Sequence, residues 1–172
     1  MKSHARVVVI GGGVVGVSTL YHLTRKGWSD VVLLERTELT AGSTWHAAGL
    51  LPLFNMSYTV GQLHKYSVDL YKRLPAETGQ DVSFHVTGNL RLATCRDRMD
   101  EYRKYCGTAN TIGVPFQLIS PAEVKELWPL VNLGGDADTP AVIGALYHPD
   151  DGHIAPADLT MALRKAARAA GA

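Results

Sequence analysis

Three glycines near the start of the chain, Gly11, Gly13 and Gly16, have the G-x-G-x-x-G spacing that suits a bound pyrophosphate. Gly11 permits a tight turn, and Gly13 lets a phosphate approach the backbone because it carries no Cβ. Gly16 lets a helix pack closely on a strand. Further along, the carboxylate of Glu35 can accept hydrogen bonds from the hydroxyls of a ribose. This pattern predicts a site for an adenine dinucleotide.

The elements that must position these residues are also visible in the sequence. Residues 6–10 are mostly β-branched and predict a buried strand, and apolar residues at helical spacing predict a helix that Gly27 ends. Residues 31–34 predict a second strand, with Glu35 at its carboxyl end. The first N–H groups of the helix would then face the phosphates. The alternative, a glycine-rich turn in another α/β domain, is disfavoured because every element of the motif is in its place.

Composition excludes several classes of function. The chain has 172 residues, of which 46% are apolar, and its formal net charge is +1. Such a charge gives no reason to expect nucleic acid as a partner, and no apolar run reaches the roughly 20 residues of a membrane span. Only residues 1–5 precede the first strand, which leaves no room for a targeting segment, so we expect a cytoplasmic protein.

The cysteines and the later histidines give no metal signal. Cys95 and Cys106 are too few for a metal-binding pattern, and we interpret them as free thiols. The group His148, Asp150, Asp151 and His153 lacks a known ligand spacing, and a turn explains it better. We therefore expect no metal site.

The middle of the chain does not alternate strand and helix as a simple nucleotide-binding domain does. It contains predicted strands and helices in irregular order, including a helix that begins after Ser57 and that we expect Pro75 to end. The predicted fold class is α/β, with a Rossmann-type βαβ start and a long α+β insertion. We assign residues 1–50 to the start of a dinucleotide-binding domain, 51–150 to an inserted substrate lobe and 151–172 to a returning crossover helix. Because no third parallel strand follows, we expect an amino-terminal piece of a longer protein.

Residues 40–50 read T-A-G-S-T-W-H-A-A-G-L, a run of small and hydroxyl residues without amphipathic period. We refer to them as the T-W-H string. Together with Glu35-Arg36, the run H-x-x-G-x-L-R-L-A from His85 and the run D-G-x-x-x-P from Asp151, the string resembles the dimethylglycine and sarcosine dehydrogenase branch of the D-amino-acid-oxidase-like flavoproteins.

The resemblance implies FAD as the cofactor and a covalent bond from His46 to the 8α carbon of the flavin. The alternative is a histidine packed beside a noncovalent flavin. The cofactor-binding residues that follow from the fingerprint and the resemblance are Gly11, Gly13, Val14, Val15, Gly16, Glu35, Arg36, Gly42, Ser43, Thr44, Trp45, His46, Ala47, Gly49 and Leu50.

The same resemblance implies an activity. The enzyme would oxidise the C–N bond of a methylated amine such as dimethylglycine or sarcosine by hydride transfer to the flavin, and so demethylate it. An electron-transfer flavoprotein could take the electrons, and tetrahydrofolate could bind a downstream domain. We identify no catalytic base. Three alternatives stay open at this point: an FAD-binding module without turnover, an amino-acid oxidase with noncovalent flavin, and a nicotinamide-dependent dehydrogenase.

Overall fold

The computed structural model describes residues 4–172, and the chain divides into two compact units. The first unit comprises Met1–Leu50, Asp69–His85 and His153–Ala172, and the second comprises Leu51–Val68 and Val86–Gly152. The elements in chain order are β1 Val7–Ile10, α1 Val14–Arg25, β2 Val31–Leu34, β3 Leu50–Leu51, α2 Tyr58–Thr78, β4 His85–Val86, β5 Asn89–Ala93, α3 Arg96–Ile112, β6 Gln117–Ile119, α4 Pro121–Leu127, β7 Gly144–His148, β8 Gly152–His153 and α5 Pro156–Ala169.

The first unit contains the predicted βαβ start. Strands β1 and β2 pair in parallel, from Val7 opposite Val31 to Ile10 opposite Leu34. Helix α1 connects them and packs against α5. The apolar residues that α1 and α5 bury are Val17, Leu20, Tyr21, Leu159, Ala162, Leu163 and Ala167. The core of this unit therefore holds the start of α1 at the carboxyl end of β1.

Helix α2 does not end at Pro75, so that expectation is wrong. The helix continues to Thr78, and its last turn is held by hydrogen bonds from the Thr78 hydroxyl to the Leu74 carbonyl (2.8 Å) and from the Gly79 N–H to the Pro75 carbonyl (2.8 Å). Proline inside a helix costs about 3 kcal/mol. The complete burial of Leu74 offsets part of this cost.

The second unit is built on an antiparallel sheet in the order β5-β7-β6. Because side chains alternate along β7, Ala145 and Leu146 face opposite sides of the sheet. Leu146 packs in a cluster with Ala93, Met99, Tyr102, Tyr105 and Ala109, and Ala145 packs with Ile119, Val124 and Val131. Helices α3 and α4 therefore cover the two faces.

The remaining short strands pair in the order β3-β8-β4. Helix α4 begins with a capping box, in which Ser120 and Glu123 exchange hydrogen bonds. Within residues 4–172, none of the helices combines the length and the hydrophobicity needed to cross a bilayer.

Candidate functional site

In the glycine loop between β1 and α1, the backbone of Gly11 lies very close to Gly16 in the first turn of α1. Gly11 has a φ of +110°, and its N–H donates a hydrogen bond to the Leu34 carbonyl at 2.8 Å. A Cβ placed on Gly16 would lie 2.0 Å from the Gly11 carbonyl oxygen. Only glycine fits this position, because real Cβ contacts are never that short. The loop and the first turn of α1 are therefore packed as a phosphate cradle requires.

Glu35 at the end of β2 is held against this loop. Its carboxylate accepts hydrogen bonds from the N–H of Gly12 at 2.6 Å and from the N–H of Thr37 at 3.0 Å. These bonds, that of Thr37 first, hold the pKa of Glu35 below its usual value. The side chain is therefore an ionised acceptor beside the glycine loop.

The T-W-H string comes back to the start of α1. The Thr40 N–H donates to the Gly12 carbonyl at 3.0 Å, and Thr40 itself has a φ of +71°. The Val14 N–H, the first of the helix, donates to the hydroxyl of Thr44 at 2.9 Å. A Cβ on Gly13 would lie 2.9 Å from the same hydroxyl oxygen. The string and the glycine loop therefore form one continuous surface.

Residues 39–46 are a series of tight turns that expose the predicted flavin residues. Thr44 is buried, whereas Trp45 is 71% exposed and His46 is also exposed. The Nδ1 atom of His46 lies 3.1 Å from the Gly42 carbonyl oxygen. Because a carbonyl only accepts hydrogen bonds, this contact assigns the proton to Nδ1 and leaves the lone pair on Nε2.

The other predicted residues lie around these contacts. Val15 is 78% exposed at the helix start, and Arg36, Gly42, Ser43 and Ala47 are exposed as well. Leu50 is exposed at the start of β3, and Gly49 before it has a φ of +75°. The Gly49 carbonyl accepts a hydrogen bond from the Ile154 N–H at 2.9 Å. The end of the string is thus tied to the segment that leads into α5.

A cavity of about 330 Å³ opens beside Glu35 in the first unit. Its lining is largely apolar and comes from α1, β2 and α5, with two arginines; the residues are Val17, Leu20, Leu33, Glu35, Leu39, Arg164, Arg168 and Ala172. The cavity offers an apolar surface next to an ionised carboxylate.

The second unit contains a buried polar cluster around His148 and Asp151, two residues that the sequence pattern assigned only to a turn. Asp151 and His148 are almost completely buried, and the carboxylate of Asp151 accepts a hydrogen bond from the Leu53 N–H at 2.8 Å. The Tyr105 hydroxyl donates to the Leu53 carbonyl at 3.3 Å, and the Tyr105 and His148 rings lie 5.5 Å apart. The Arg91 guanidinium stacks 4.4 Å above the Phe54 ring.

Burial controls the ionisation of this cluster. Desolvation, against the opposing effects of the Leu53 hydrogen bond and the Arg91 charge, raises the pKa of Asp151 to about 6. Desolvation and the Arg91 charge lower the pKa of His148 to about 4. Burial also raises the pKa of Tyr105 to about 12. No local signal identifies these residues, because β5, α3 and β7 bring them together from distant parts of the sequence.

Comparison with known proteins adds independent findings. The family model for FAD dependent oxidoreductases matches residues 6–172. Mitochondrial dimethylglycine dehydrogenase of Rattus norvegicus is 47% identical over 170 residues, which are 99% of this chain and 19% of that protein. Mitochondrial sarcosine dehydrogenase of Homo sapiens is 42% identical over 173 residues, which are 100% of this chain and 18% of that protein. The chain thus spans about a fifth of the length of these relatives.

A solved structure supports the fold. L-proline dehydrogenase from P. horikoshii superposes with a TM-score of 0.88 at 30% sequence identity, over 99% of this chain and 43% of that one. This likeness confirms the predicted α/β class with a Rossmann-type start. The match to the family model also confirms the resemblance that the T-W-H string suggested.

Proposed function

The chain belongs to the family of FAD-dependent oxidoreductases. On this basis we propose that it binds FAD for the oxidation of an N-methylated amino acid such as dimethylglycine or sarcosine. Bound FAD would accept the hydride that leaves the N-methyl carbon when the C–N bond is oxidised. The names of two relatives, both dehydrogenases of methylated glycines, support this substrate class. Glu35 suits the ribose of either FAD or a nicotinamide dinucleotide, and membership of this family favours FAD.

The residues of the first unit fit the cofactor. The N–H groups of Gly11, Gly12 and Val14 donate within the chain, so the positive end of the α1 dipole and the next N–H groups of its first turn are what suit a pyrophosphate. There is no room for a Cβ at Gly16, so the loop keeps the close approach that such a ligand needs. Glu35 is ionised and close to the loop, and we assign it to the ribose hydroxyls. The apolar cavity beside it suits an adenine ring.

The single observation that carries the proposal is the bond from the Val14 N–H to the Thr44 hydroxyl at 2.9 Å. It joins the first turn of the phosphate-binding helix to the T-W-H string, two residues before His46. A ligand whose phosphates bind at the start of α1 would therefore lie next to the exposed residues of the T-W-H string. Trp45 and His46 are exposed there, and we assign them to the isoalloxazine end.

We further propose that His46 carries the flavin covalently. The Gly42 carbonyl holds the proton on Nδ1, which leaves the Nε2 lone pair for a bond to the 8α carbon. That bond would replace a C–H bond of the 8α methyl group, with the proton going to water and the two electrons to the flavin ring, from which dioxygen would take them. A noncovalent flavin packed against the same ring is the competing arrangement. The exposure of His46 supports the covalent form, because its ring is accessible to the cofactor and has no buried partner to displace.

Acid precipitation of the purified protein after incubation with FAD tests this assignment. We expect the flavin to remain with the washed pellet of the unmodified protein and to appear in the supernatant of His46→Ala. His85→Ala, which removes another exposed imidazole outside the string, should keep its flavin in the pellet. Complete release of flavin from the unmodified protein would exclude the covalent bond. If the unmodified protein bound no flavin at all, the proposal that the chain binds FAD would also be wrong.

The electron acceptor, a further ligand and the location of the protein are separate proposals. We propose an electron-transfer flavoprotein as acceptor, tetrahydrofolate as a ligand of a further domain and the cytoplasm as the location. The second candidate is an FAD-binding module without turnover, since among residues 4–172 we identify no base near His46 to which turnover could be assigned. Incubation with dimethylglycine under anaerobic conditions separates the two, because bleaching of bound flavin requires a competent site.

A further inference from the structure

The fold brings together two histidines that are far apart in the sequence. The ring centroids of His85 and His153 lie 5.1 Å apart, and the ring planes are tilted by 42°. His85 lies on β4 and His153 on β8, which are neighbours in the β3-β8-β4 sheet, and both belong to the first unit. Both side chains are exposed to solvent. The pair is therefore accessible to a small ligand.

The backbone on both sides of the pair is fixed by the fold. The Ala155 N–H donates to the Val82 carbonyl at 3.2 Å, and the Ile154 N–H donates to the Gly49 carbonyl at 2.9 Å. Val82 is completely buried and Ile154 is 5% exposed, so the segments that carry the histidines are anchored in the core. The entropic cost of binding a ligand to both rings would therefore come mainly from fixing the two side chains, since the backbone is already ordered.

Two imidazoles in this arrangement are suited to one divalent transition-metal ion. Zn–N bonds are about 2.0–2.1 Å long, so two ligating nitrogens in a tetrahedral site lie roughly 3.4 Å apart. Rings with centroids 5.1 Å apart can present nitrogens at that separation.

The charges of the neighbouring residues also favour a cation. The hydroxyl of Ser83, two residues before His85, donates to the Asp158 carboxylate at 3.4 Å. The Ser83 N–H donates to the carboxylate of Asp81 at 2.8 Å. Two carboxylates therefore contact Ser83, two residues before the strand that carries His85. Across residues 4–172, no group of three or more His, Cys, Asp or Glu side chains is close enough to hold a metal, so the carboxylates act as nearby charge and not as ligands.

We propose that His85 and His153 form an open site for a divalent transition-metal ion of the Zn²⁺ and Cu²⁺ class, with water in the remaining coordination positions. The site departs from the expectation of no metal, since only the pairing of β4 with β8 creates it. The strand β8 also neighbours β3, which begins at Leu50, the last residue of the T-W-H string. A bound ion would add positive charge close to that string. The proposal is independent of the proposed function.

Calorimetric titration of the purified chain with ZnCl₂ tests the site. We expect one ion per chain, tighter binding of Cu²⁺ than of Zn²⁺ and no binding of Mg²⁺, in the order set by imidazole ligands. His85→Ala and His153→Ala should each weaken Zn²⁺ binding by about tenfold or more, since even changes around metal ligands cost that much. His4→Ala, another exposed histidine, should bind as the unmodified chain does.

Electron paramagnetic resonance of the Cu²⁺ complex counts the ligands directly. We expect coupling to two imidazole nitrogens in the unmodified chain and to one in each single variant. Both substitutions lie on exposed strand ends, so the circular dichroism melting curves should be unchanged. Zn²⁺ affinity that is the same in His85→Ala, His153→Ala and the unmodified chain would overturn the proposal, as would equal binding of Mg²⁺.

Discussion

The hydroxyl of Thr44 accepts the first helical N–H of α1, that of Val14, at 2.9 Å. The two residues come from different segments of the first unit, and their bond brings the T-W-H string to the glycine loop. A side-chain hydroxyl is needed here because its oxygen accepts this bond and also fits against Gly13, where a Cβ would come within 2.9 Å of it. We therefore expect both the affinity for FAD and the stability of the first unit to depend on this contact.

Replacement of Thr44 by valine should show this dependence. Valine has the same shape but no acceptor, so the partly buried Val14 N–H loses its partner, which costs about 1–3 kcal/mol. We expect urea unfolding to show a loss of this size and FAD binding to weaken. Thr44→Ser keeps the hydroxyl and should retain most of both. A valine variant with unchanged stability and unchanged flavin binding would show that the contact is incidental.

A pair of glycine substitutions should separate close packing from helix propensity. In Gly16→Ala the new methyl group would meet the Gly11 carbonyl, so we expect a loss of about 1–3 kcal/mol or more in unfolding free energy. A methyl group added to Gly107 in α3 would have no neighbouring atom within 4 Å, and Gly107→Ala should raise stability by roughly 0.5–1 kcal/mol. Equal effects of the two substitutions in thermal unfolding would contradict the close approach at Gly16.

How much of the molecule the sequence predicts depends on the range of the interactions involved. The βαβ start is predictable because its glycines, periodicity and acidic residue all act within about thirty residues. The capping box at Ser120 is equally local. The continuation of α2 through Pro75 is not predictable, since the burial of Leu74 by distant residues decides it. Local propensity is a weak prior where tertiary packing opposes it.

The candidate site follows the same division. The glycine loop and Glu35 can be predicted from the spacing of their residues. The T-W-H string can be recognised from its resemblance to the flavoprotein family. The contact of Thr44 with Val14 requires the fold. The Asp151 and His148 cluster and the pairing of His85 with His153 join residues of different strands. Nothing in the local sequence at any one of these positions indicates the partner.

Neutralisation of Glu35 should weaken cofactor binding without unfolding the chain. The carboxylate is held ionised by N–H bonds from Thr37 and Gly12, so its charge is present throughout the neutral and mildly acidic range. Glu35→Gln keeps one acceptor but loses the charge, and charged hydrogen bonds are about twice as strong as neutral ones. We expect about tenfold weaker FAD binding by fluorescence quenching. Glu38→Gln, an exposed neighbour, is the control, and equal affinities for both variants would remove Glu35 from the ribose assignment.

The buried cluster of the second unit should produce opposing pH effects. Asp151 has a pKa raised from 3.8 to about 6, so the folded state holds an extra proton between these values and stability falls as pH rises through this range. His148 has a pKa lowered from 6.5 to about 4, so it holds fewer protons when folded and stability rises with pH over nearly the same range. Each contribution is on the order of 3 kcal/mol. Urea unfolding of Asp151→Asn from pH 4 to pH 6.5 should therefore give a rising stability, and His148→Gln a falling one. Slopes of the same sign in both variants would contradict the assigned ionisation states.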